Sequence, residues 1–568
     1  MWAALLVGLA GCGGDGTAAP ADSAASDSAA SDSAASDTVA SDAVASDTVA
    51  DSASEVADGA DTFGGACPGF SPGPYGTHRG DLAADFTLPL ADGGTFELKG
   101  AIAACDAVVV LVDTIAISPL DARSIWDDDG ALADLVARSP DHAQYVFLSN
   151  GDDASAATAR ITPMQARVDA LLAGLDASVA ADWRARLHVA AARVQDGDSW
   201  LAAPLAAHLA TGLAIGPDQR IHGIGFLADV ERFSQARQDG GAWPWANNLA
   251  YAAYEALYLR ADGERSAQLA RETGVAVDLF RGEVLAELAD VDVMLPSGLA
   301  AYDTLQVEVS MACPHPDELE GATDNCGAWD YIASLTMRDD SVDPPVDLEV
   351  ARFITTYHRE AHWIVDATAL LPRLVSGGSR HFRWSFAPSW NTQPTATRLR
   401  LVFGSRARGV APTSVVSLFS GGDFGSHYND GRQPLTVPIP AAAKRVELWA
   451  ITTGHGSGTS QCAEFCGHQH RFEVDGHIHI QTFPEAGSND GCMAEVARGM
   501  TPNQGGTWWF GRGGWCPGAP VAPWIVDVTS EVTPGADATI TYRGLLGGHD
   551  PPDGAGNIVL TSYLVIYQ

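Results

Sequence analysis

The chain has 568 residues, enough for several domains with separate hydrophobic cores. Its 71 acidic residues outnumber the 33 Lys and Arg residues, and the formal net charge is -38 at pH 7. Nucleic-acid binding requires a basic surface, so this balance excludes nucleic acid as an expected partner. The acidic residues are spread along the chain, which is typical of a strongly solvated surface rather than of one acidic binding site.

Residues 1–12 resemble a bacterial lipoprotein signal peptide. An apolar run, too short to cross a bilayer, ends in Leu9-Ala10-Gly11-Cys12. In such a signal Cys12 is acylated and becomes the mature N-terminus. No Lys or Arg precedes the run, which departs from the usual pattern and points to a start codon upstream of Met1. We therefore predict a protein of the bacterial cell envelope, lipid-anchored at the outer membrane or cell surface, or secreted.

Residues 13–65 are predicted to form a disordered acidic linker. The segment is rich in Ser, Ala and Asp and repeats every five residues, as in Ser26-Asp27-Ser28-Ala29-Ala30. Such a composition cannot bury enough apolar area to offset the entropy lost on ordering. We expect a self-repelling tether that holds the folded part away from the membrane.

Residues 66–262 have the pattern of an α/β domain. Four segments resemble strands or turns of a thioredoxin-like domain: 84–90, 107–113, 144–149 and 216–221. A redox domain of that type requires a cysteine after its first core strand. Residues 114–119 contain none, so we predict a degenerate, redox-inactive thioredoxin-like domain.

After a polar bridge over residues 263–275, the pattern changes to short alternating runs separated by Gly, Pro, Asn and Asp. Three of these runs are residues 304–310, 444–450 and 563–567. Alternation at this spacing is typical of antiparallel β-sandwiches. The length of the region predicts two sandwiches, joined near residues 404–412.

Apart from Cys12, the chain contains an even set of eight cysteines. Short spacings in an exported chain favour disulfides. The predicted pairs are Cys313–Cys326, Cys462–Cys466 and Cys492–Cys516, with Cys67–Cys105 as a fourth, structural pair. Zinc is the alternative, but the Cys-x-x-Cys spacing of zinc ribbons is absent, and we predict no metal.

Two carboxylates lie in these cysteine loops. Asp330 ends the stretch Cys326-Gly327-Ala328-Trp329-Asp330, and Glu464 lies between Cys462 and Cys466. A covalently closed loop fixes the position of its side chains, which general acid/base catalysis requires. Without further context, each carboxylate could equally be a solvated or turn-capping residue.

Five stretches of the C-terminal half together carry a resemblance to a known family. They are Met311-Ala312-Cys313-Pro314, Cys326-Gly327-Ala328-Trp329-Asp330, Ala351-Arg352-Phe353-Ile354-Thr355-Thr356-Tyr357, Gly454-His455 with the Cys462–Cys466 loop, and Gly491-Cys492 with Arg512-Gly513-Gly514-Trp515-Cys516. These stretches resemble the peptide-N-glycosidase F family, bacterial amidases that remove N-linked glycans. The resemblance implies two eight-stranded antiparallel jelly rolls, over residues 275–406 and 410–568. It also implies an active site at their interface and no cofactor.

The resemblance further implies hydrolysis of the amide between an Asn side chain and the first N-acetylglucosamine of an N-linked glycoprotein or glycopeptide. The glycan is released and Asp remains in the peptide. Asp330 matches the essential acid of the family and Glu464 its second carboxylate. The implied substrate-binding residues are Arg512, Trp515, His455 and Trp329. We expect a monomer.

The chain departs from the family pattern at three points. The family's third acidic residue has no counterpart near residues 381–387, because no carboxylate lies between Asp366 and Asp423. The Arg that follows the essential acid is replaced by Tyr331, and the Trp before Gly-His is replaced by Thr453. These departures predict an altered set of substrate contacts around a retained pair of carboxylates.

The leading hypothesis is therefore a peptide-N-glycosidase on a multidomain fold. An α/β thioredoxin-like domain would be followed by two all-β antiparallel jelly-roll sandwiches. The alternative is a non-catalytic glycan-binding or scaffold lipoprotein on the same fold. A third hypothesis is a copper-dependent monooxygenase, because His468-x-His470 and His477-x-His479 each place two imidazoles on one strand face.

Overall fold

The structure is a computed structural model that describes residues 69–114, 124–128, 130–196, 200–207, 211–232, 247–318, 320, 325–407 and 409–568. The predicted signal with Cys12, the predicted linker and Cys67 lie outside the described residues, as do residues 115–119. None of the described helices is both long enough and apolar enough to cross a membrane.

Most of the described helices, α1 to α6, belong to the N-terminal part of the described chain. The described helices are α1 (Leu98–Ala103), α2 (Ala131–Arg138), α3 (Ala154–Ala173), α4 (Ala177–Arg184), α5 (Ala202–Ala207), α6 (Ala252–Glu272), α7 (Leu371–Leu374) and α8 (Cys462–Phe465). Short 3-10 turns cover Leu249–Tyr251, Leu299–Ala301, Thr368–Leu370 and Met493–Arg498.

The N-terminal region forms an α/β domain, as predicted. Its strands are β1 (Thr87–Pro89), β2 (Thr95–Glu97), β3 (Ala107–Val112), β4 (Ala143–Ser149), β5 (Leu187–Arg193), β6 (Gly212–Ile215) and β7 (Ile221–His222). Strands β3, β4 and β5 are parallel, and β6 and β7 form the predicted late hairpin of a sheet ordered β5-β4-β3-β6-β7. All six residues of β3 are buried, because packed side chains cover both faces of the sheet. Whether this domain is thioredoxin-like stays a prediction.

Helix α6 occupies most of the predicted polar bridge. The helix continues to Glu272, and β8 begins at the next residue, Thr273. The sequence of residues 264–272 is rich in Ala, Glu, Arg, Gln and Leu, which are good helix formers. The two regions are therefore joined by a continuous helix rather than by a loop.

The first β-sandwich consists of two four-stranded antiparallel sheets. Its strands are β8 (Thr273–Leu285), β9 (Leu288–Leu295), β10 (Thr304–Ala312), β11 (Ile332–Asp339), β12 (Val346–Ile354), β13 (Ala361–Asp366), β14 (Gly378–Ser385) and β15 (Thr395–Gly404). The sheet orders are β13-β10-β15-β8 and β12-β11-β14-β9. Alternate residues from both sheets meet in one buried core that includes Val307, Leu335, Phe353 and Trp384.

The second β-sandwich also consists of two four-stranded antiparallel sheets. Its strands are β16 (Pro412–Asp423), β17 (Leu435–Pro438), β18 (Arg445–His455), β19 (His468–Val474), β20 (His477–Thr482), β21 (Trp524–Asp527), β22 (Asp537–Leu546) and β23 (Asn557–Tyr567). The sheet orders are β16-β23-β18-β21 and β17-β22-β19-β20. Two eight-stranded antiparallel sandwiches were predicted, and both are present in the described chain.

The two sandwiches share a buried polar contact. Arg352 on β12 is fully buried and forms an ion pair with Glu349, with Nη2 2.6 Å from the carboxylate Oε2. The same guanidinium donates to the Thr453 hydroxyl of the second sandwich at 2.9 Å and to the Val559 carbonyl at 2.7 Å. This contact fixes β12 against β18 and β23 beside the predicted site.

His362, whose side chain is 25% exposed, links the α/β domain to the first sandwich. Its Nδ1 lies 2.7 Å from Asp262 on α6, and its Nε2 lies 3.1 Å from Glu308 on β10. Burial lowers the pKa of His362, but the two carboxylates outweigh burial and raise this pKa to about 10. The imidazolium therefore holds two elements together at neutral pH.

Replacing His362 with Gln tests this link. A raised folded-state pKa stabilises the fold fully below pH 6.5, and the stabilisation is lost as pH rises through about 10. We expect His362→Gln to lower the free energy of unfolding at pH 7 by about 2–4 kcal/mol. Urea denaturation from pH 6 to pH 10 measures the difference between wild type and variant. Parallel stability curves over this range would contradict the assignment.

Candidate active site

Asp330 lies directly before β11, in a loop whose backbone is held on both sides. The Thr355 hydroxyl donates to the Trp329 carbonyl at 2.5 Å and accepts from the Tyr331 amide at 2.8 Å. The predicted Cys313–Cys326 disulfide is present in the same loop. The Asp330 side chain is only 16% exposed. The sequence prediction of a fixed carboxylate at this position therefore has a structural basis.

Glu464 lies on α8, a single helical turn closed by the predicted Cys462–Cys466 disulfide. Its Oε2 accepts a hydrogen bond from the Gly456 amide at 2.7 Å, and its carbonyl accepts from the Gly513 amide at 2.7 Å. A Cβ atom on residue 456 would lie 2.9 Å from this oxygen, so the glycine lets the carboxylate approach the backbone without shifting. The disulfide and these two hydrogen bonds fix the Glu464 carboxylate.

Arg512 brings the two carboxylates together. Its Nε lies 3.2 Å from Glu464 Oε1, and its Nη2 lies 3.7 Å from Asp330 Oδ2. The side chain is 4% exposed, and its Nη1 donates to the Phe510 carbonyl at 2.7 Å and to the Thr507 carbonyl at 3.2 Å. Two negative groups from different sandwiches can thus lie close together, because a buried cation lies between them.

Trp515 and His455 form the wall beside Arg512. The two rings stack with centroids 5.1 Å apart, and the Arg512 Cζ lies 4.9 Å from the Trp515 ring centroid. Trp515 is only 7% exposed, and its Nε1 donates to the Gly454 carbonyl at 2.6 Å. Trp515 therefore offers little open surface for a sugar ring. We infer that its ring positions the side chains of His455 and Arg512. The predicted Cys492–Cys516 disulfide closes this segment.

His455 is neutral at physiological pH. Burial, together with the nearby Arg352 and Arg512, lowers its pKa to about 3. Its Nε2 lies 2.9 Å from the Thr453 hydroxyl, which already accepts from Arg352. In the described structure, the acceptor within hydrogen-bonding distance of the Thr453 hydroxyl is His455 Nε2. We infer that Thr453 donates to Nε2, which leaves the imidazole proton on Nδ1.

Exposed aromatic side chains form a rim next to Asp330. Trp329, a predicted substrate-binding residue, is 39% exposed, and Trp390 is 64% exposed. The Tyr331 ring meets Trp390 edge to face at 6.3 Å, and its hydroxyl accepts from the Asn391 side chain at 2.7 Å. Exposed Trp side chains in a polar loop are unusual, since Trp is mostly buried.

Sequence analysis missed Trp390 and Asn391. The expected position of the family's third acid, residues 381–387, lies largely in strand β14. On this strand His381 pairs with Asp292 and Arg383 pairs with Asp290. The contact with Tyr331 comes instead from the loop after β14. The signal that could have found it is Pro388-Ser389-Trp390-Asn391, where a large aromatic residue stands in turn-forming sequence without strand alternation.

Three of the four histidines considered for copper contact side chains of the protein. His468 Nδ1 lies 2.8 Å from His470 Nε2, and His470 Nδ1 lies 2.7 Å from the Tyr542 hydroxyl in the core. His479 pairs with Glu531 at 2.8 Å. In the described part of the chain, the group with ligand spacing is Cys313, Cys326 and Glu360, and these two cysteines form a disulfide. None of these histidines belongs to the candidate ligand group found among the described residues.

Comparisons with known proteins find similarity to one family in the C-terminal half of the chain. Residues 423–565 match the family model described as peptide-N-glycosidase F, C terminal. The peptide-N(4)-(N-acetyl-beta-D-glucosaminyl)asparagine amidase F of Elizabethkingia miricola is 21% identical over 306 residues, which span 50% of this chain and 79% of that protein.

Solved structures are also similar. A peptide-N(4)-(N-acetyl-beta-D-glucosaminyl)asparagine amidase is 17% identical with a TM-score of 0.41, and the match covers 52% of this chain and 96% of that chain. PNGase F from Flavobacterium meningosepticum, a glycosylasparaginase, is 17% identical with a TM-score of 0.40, covering 51% and 95%. The family model and the amidase sequence support a relationship of the C-terminal half of this chain to the peptide-N-glycosidase F family.

Proposed function

We propose that this protein is a peptide-N-glycosidase. It hydrolyses the amide bond between N-acetylglucosamine and the Asn side chain of N-linked glycoproteins or glycopeptides. The observation that carries the proposal is the contact of Arg512 with both Asp330 and Glu464, at 3.7 and 3.2 Å. The family relationship supports the reaction class, and the exposed rim beside Asp330 supports a sugar ligand.

The chemistry requires two different carboxylate roles. An amide is a poor electrophile with a poor leaving group, so water must be activated and the nitrogen must be protonated. We assign Asp330 as the principal acid/base group and Glu464 as the group that orients water and sugar. Water attacks the Asn side-chain carbonyl carbon, the carbon–nitrogen bond breaks, and the nitrogen leaves with the sugar as a glycosylamine. The peptide keeps Asp.

The neighbouring residues would bind and orient the substrate. Arg512 holds both carboxylates and offers its cation to the oxyanion that forms on the carbonyl. His455, with its proton on Nδ1, supplies one neutral hydrogen-bond donor beside the Trp515 ring. Trp390 and Trp329 offer apolar faces of the kind that pack against sugar rings. Tyr331 replaces a charged Arg of the family pattern with a neutral side chain that accepts from Asn391, which changes the sugars that fit.

Glycan-binding without turnover is the second candidate function. The observation that favours it is the exposure of Trp390 and Trp329, since a rim of this kind binds sugars whether or not the carboxylates act. The two functions differ in a single measurable product, the Asp that replaces the glycosylated Asn.

Asp330→Asn tests the amidase. We expect the variant to lose at least about a hundredfold in kcat, because it removes the acid/base group without changing its shape. Mass spectrometry of a denatured high-mannose glycopeptide measures both glycan release and conversion of Asn to Asp. Asp340→Asn is the matched control, because Asp340 is an exposed Asp paired with Arg338 after β11. Wild-type protein that retains the glycopeptide without releasing the glycan would support the binding function instead.

Thr453→Val tests the state of His455. The variant keeps the shape of Thr453 but removes the hydroxyl that donates to Nε2, so we expect the imidazole to lose its fixed tautomer and kcat/KM to fall about tenfold. Nitrogen-15 NMR of labelled histidines measures the tautomer directly. Thr453→Ser retains the hydroxyl and should restore both readouts. Unchanged nitrogen shifts in Thr453→Val would contradict the inferred hydrogen bond.

Trp390→Ala tests the aromatic rim. We expect KM to rise about tenfold with kcat little changed, because the variant removes apolar contact area that serves binding alone. Met294→Ala removes a side chain that is 73% exposed on β9 and serves as control. A fall in kcat at constant KM would show that Trp390 acts in catalysis rather than in binding.

A further inference from the structure

The segment that carries Arg512 has no secondary structure of its own. Residues 499–518, between the 3-10 turn Met493–Arg498 and β21, contain neither helix nor strand. Even so, Thr501, Asn503 and Gln504 are fully buried. A buried loop without a hydrogen-bond ladder must be held by side chains and by neighbouring elements. We call residues 499–518 the arginine loop.

The α/β domain supplies much of that support. The Phe226 amide donates to the Asn503 carbonyl at 2.7 Å, and the Asn503 side chain donates to the Tyr251 carbonyl at 3.1 Å. Gly225 allows the two backbones to touch, because a Cβ atom there would lie 2.1 Å from the Asn503 carbonyl oxygen. Asn503 has φ +52°, a left-handed conformation that Asn adopts more readily than most residues.

One buried arginine joins three parts of the molecule at this point. Arg359, in the turn after β12, pairs with Glu255 on α6 at 2.9 Å, and neither side chain is more than 4% exposed. Its guanidinium also donates to the Pro502 carbonyl of the arginine loop at 2.7 Å and to the Gly223 carbonyl at 2.8 Å. The ion pair thereby ties α6, the first sandwich and the arginine loop together.

The support extends along the loop towards Arg512. Trp508 is fully buried and meets the Tyr254 ring of α6 edge to face at 6.2 Å. The carbonyls of Thr507 and Phe510, on either side of the Trp508–Trp509 pair, accept from the Arg512 guanidinium. A displacement of this stretch would move the atoms that orient Arg512, and displacements of about 1 Å cost on the order of a hundredfold in rate.

We propose that the α/β domain is part of the catalytic unit: it positions the arginine loop through the junction of Glu255, Arg359 and Asn503. These three are positioning residues and touch no substrate. The effect on turnover rests on the proposed function, whereas the ordering of the loop does not. No redox chemistry is required of the α/β domain for this role.

Glu255→Gln in the full chain tests the proposal. Arg359 keeps a carboxylate partner in this variant, because Glu320 lies 3.5 Å from its Nε, so the fold should persist. Hydrogen exchange measured by mass spectrometry should be about tenfold faster in peptides from residues 499–518, as expected when a local support is removed. We expect kcat to fall about tenfold with KM little changed, since Arg512 is displaced but the rim is intact.

Glu264→Gln is the matched control. Glu264 lies on the same helix, is 41% exposed and pairs with Arg260, so its substitution should change neither exchange in the loop nor kcat. Asn503→Asp is the second variant if Glu255→Gln does not fold, because it places a carboxylate against the Tyr251 carbonyl and Glu255. Unchanged exchange in the arginine loop would overturn the proposal. Faster exchange with kcat within about twofold of wild type would overturn its catalytic part.

The exchange measurement requires no activity. A wild-type chain without amidase turnover would refute the proposed function, and the exchange comparison would still decide whether the α/β domain holds the loop.

Discussion

A buried guanidinium between two carboxylates is the interaction on which the candidate site depends. Asp330 comes from the first sandwich and Glu464 from the second, and Arg512 contacts both while remaining 4% exposed. Without a cation, two negative groups at the junction of the sandwiches would repel each other and would favour separation. The disulfide-closed loops, the Trp515 ring and the arginine loop all restrict where this one cation can lie.

Buried or partly buried cations lie at the described junctions between domains of this strongly acidic chain. Arg352 lies between the sandwiches, and Arg359 and His362 lie between the α/β domain and the first sandwich. Each binds carboxylates and carbonyls in a fixed geometry, and replacing such a group leaves buried partners unsatisfied. Ion pairs of this kind restrict the relative placement of the domains, because separating the partners leaves uncompensated buried charges. These junctions therefore fix the geometry of the candidate active site.

Local patterns in the sequence predicted the features that depend on local sequence. The apolar run of β3, the two β-sandwiches and the three described disulfides follow from apolar runs, spacing and alternation, whereas the late hairpin at β6 and β7 was predicted from a resemblance to thioredoxin-like domains. The cysteine spacing singled out Asp330 and Glu464, and the family resemblance suggested their roles. Contacts between distant residues were not predictable: Glu255 and Arg359 lie 104 positions apart, and Tyr331 meets Asn391 across 60. The burial of Trp515 likewise depends on packing that no single stretch encodes.

The most direct test of the account is the destination of the water oxygen. Denatured N-linked glycopeptide is incubated with the wild-type protein in oxygen-18 water, and the peptide and the released glycan are analysed by mass spectrometry. The account predicts one oxygen-18 atom in the side chain of the newly formed Asp, with the glycan leaving as a glycosylamine. A label incorporated into the reducing sugar by cleavage of a glycosidic bond, with N-acetylglucosamine still attached to Asn, would contradict it.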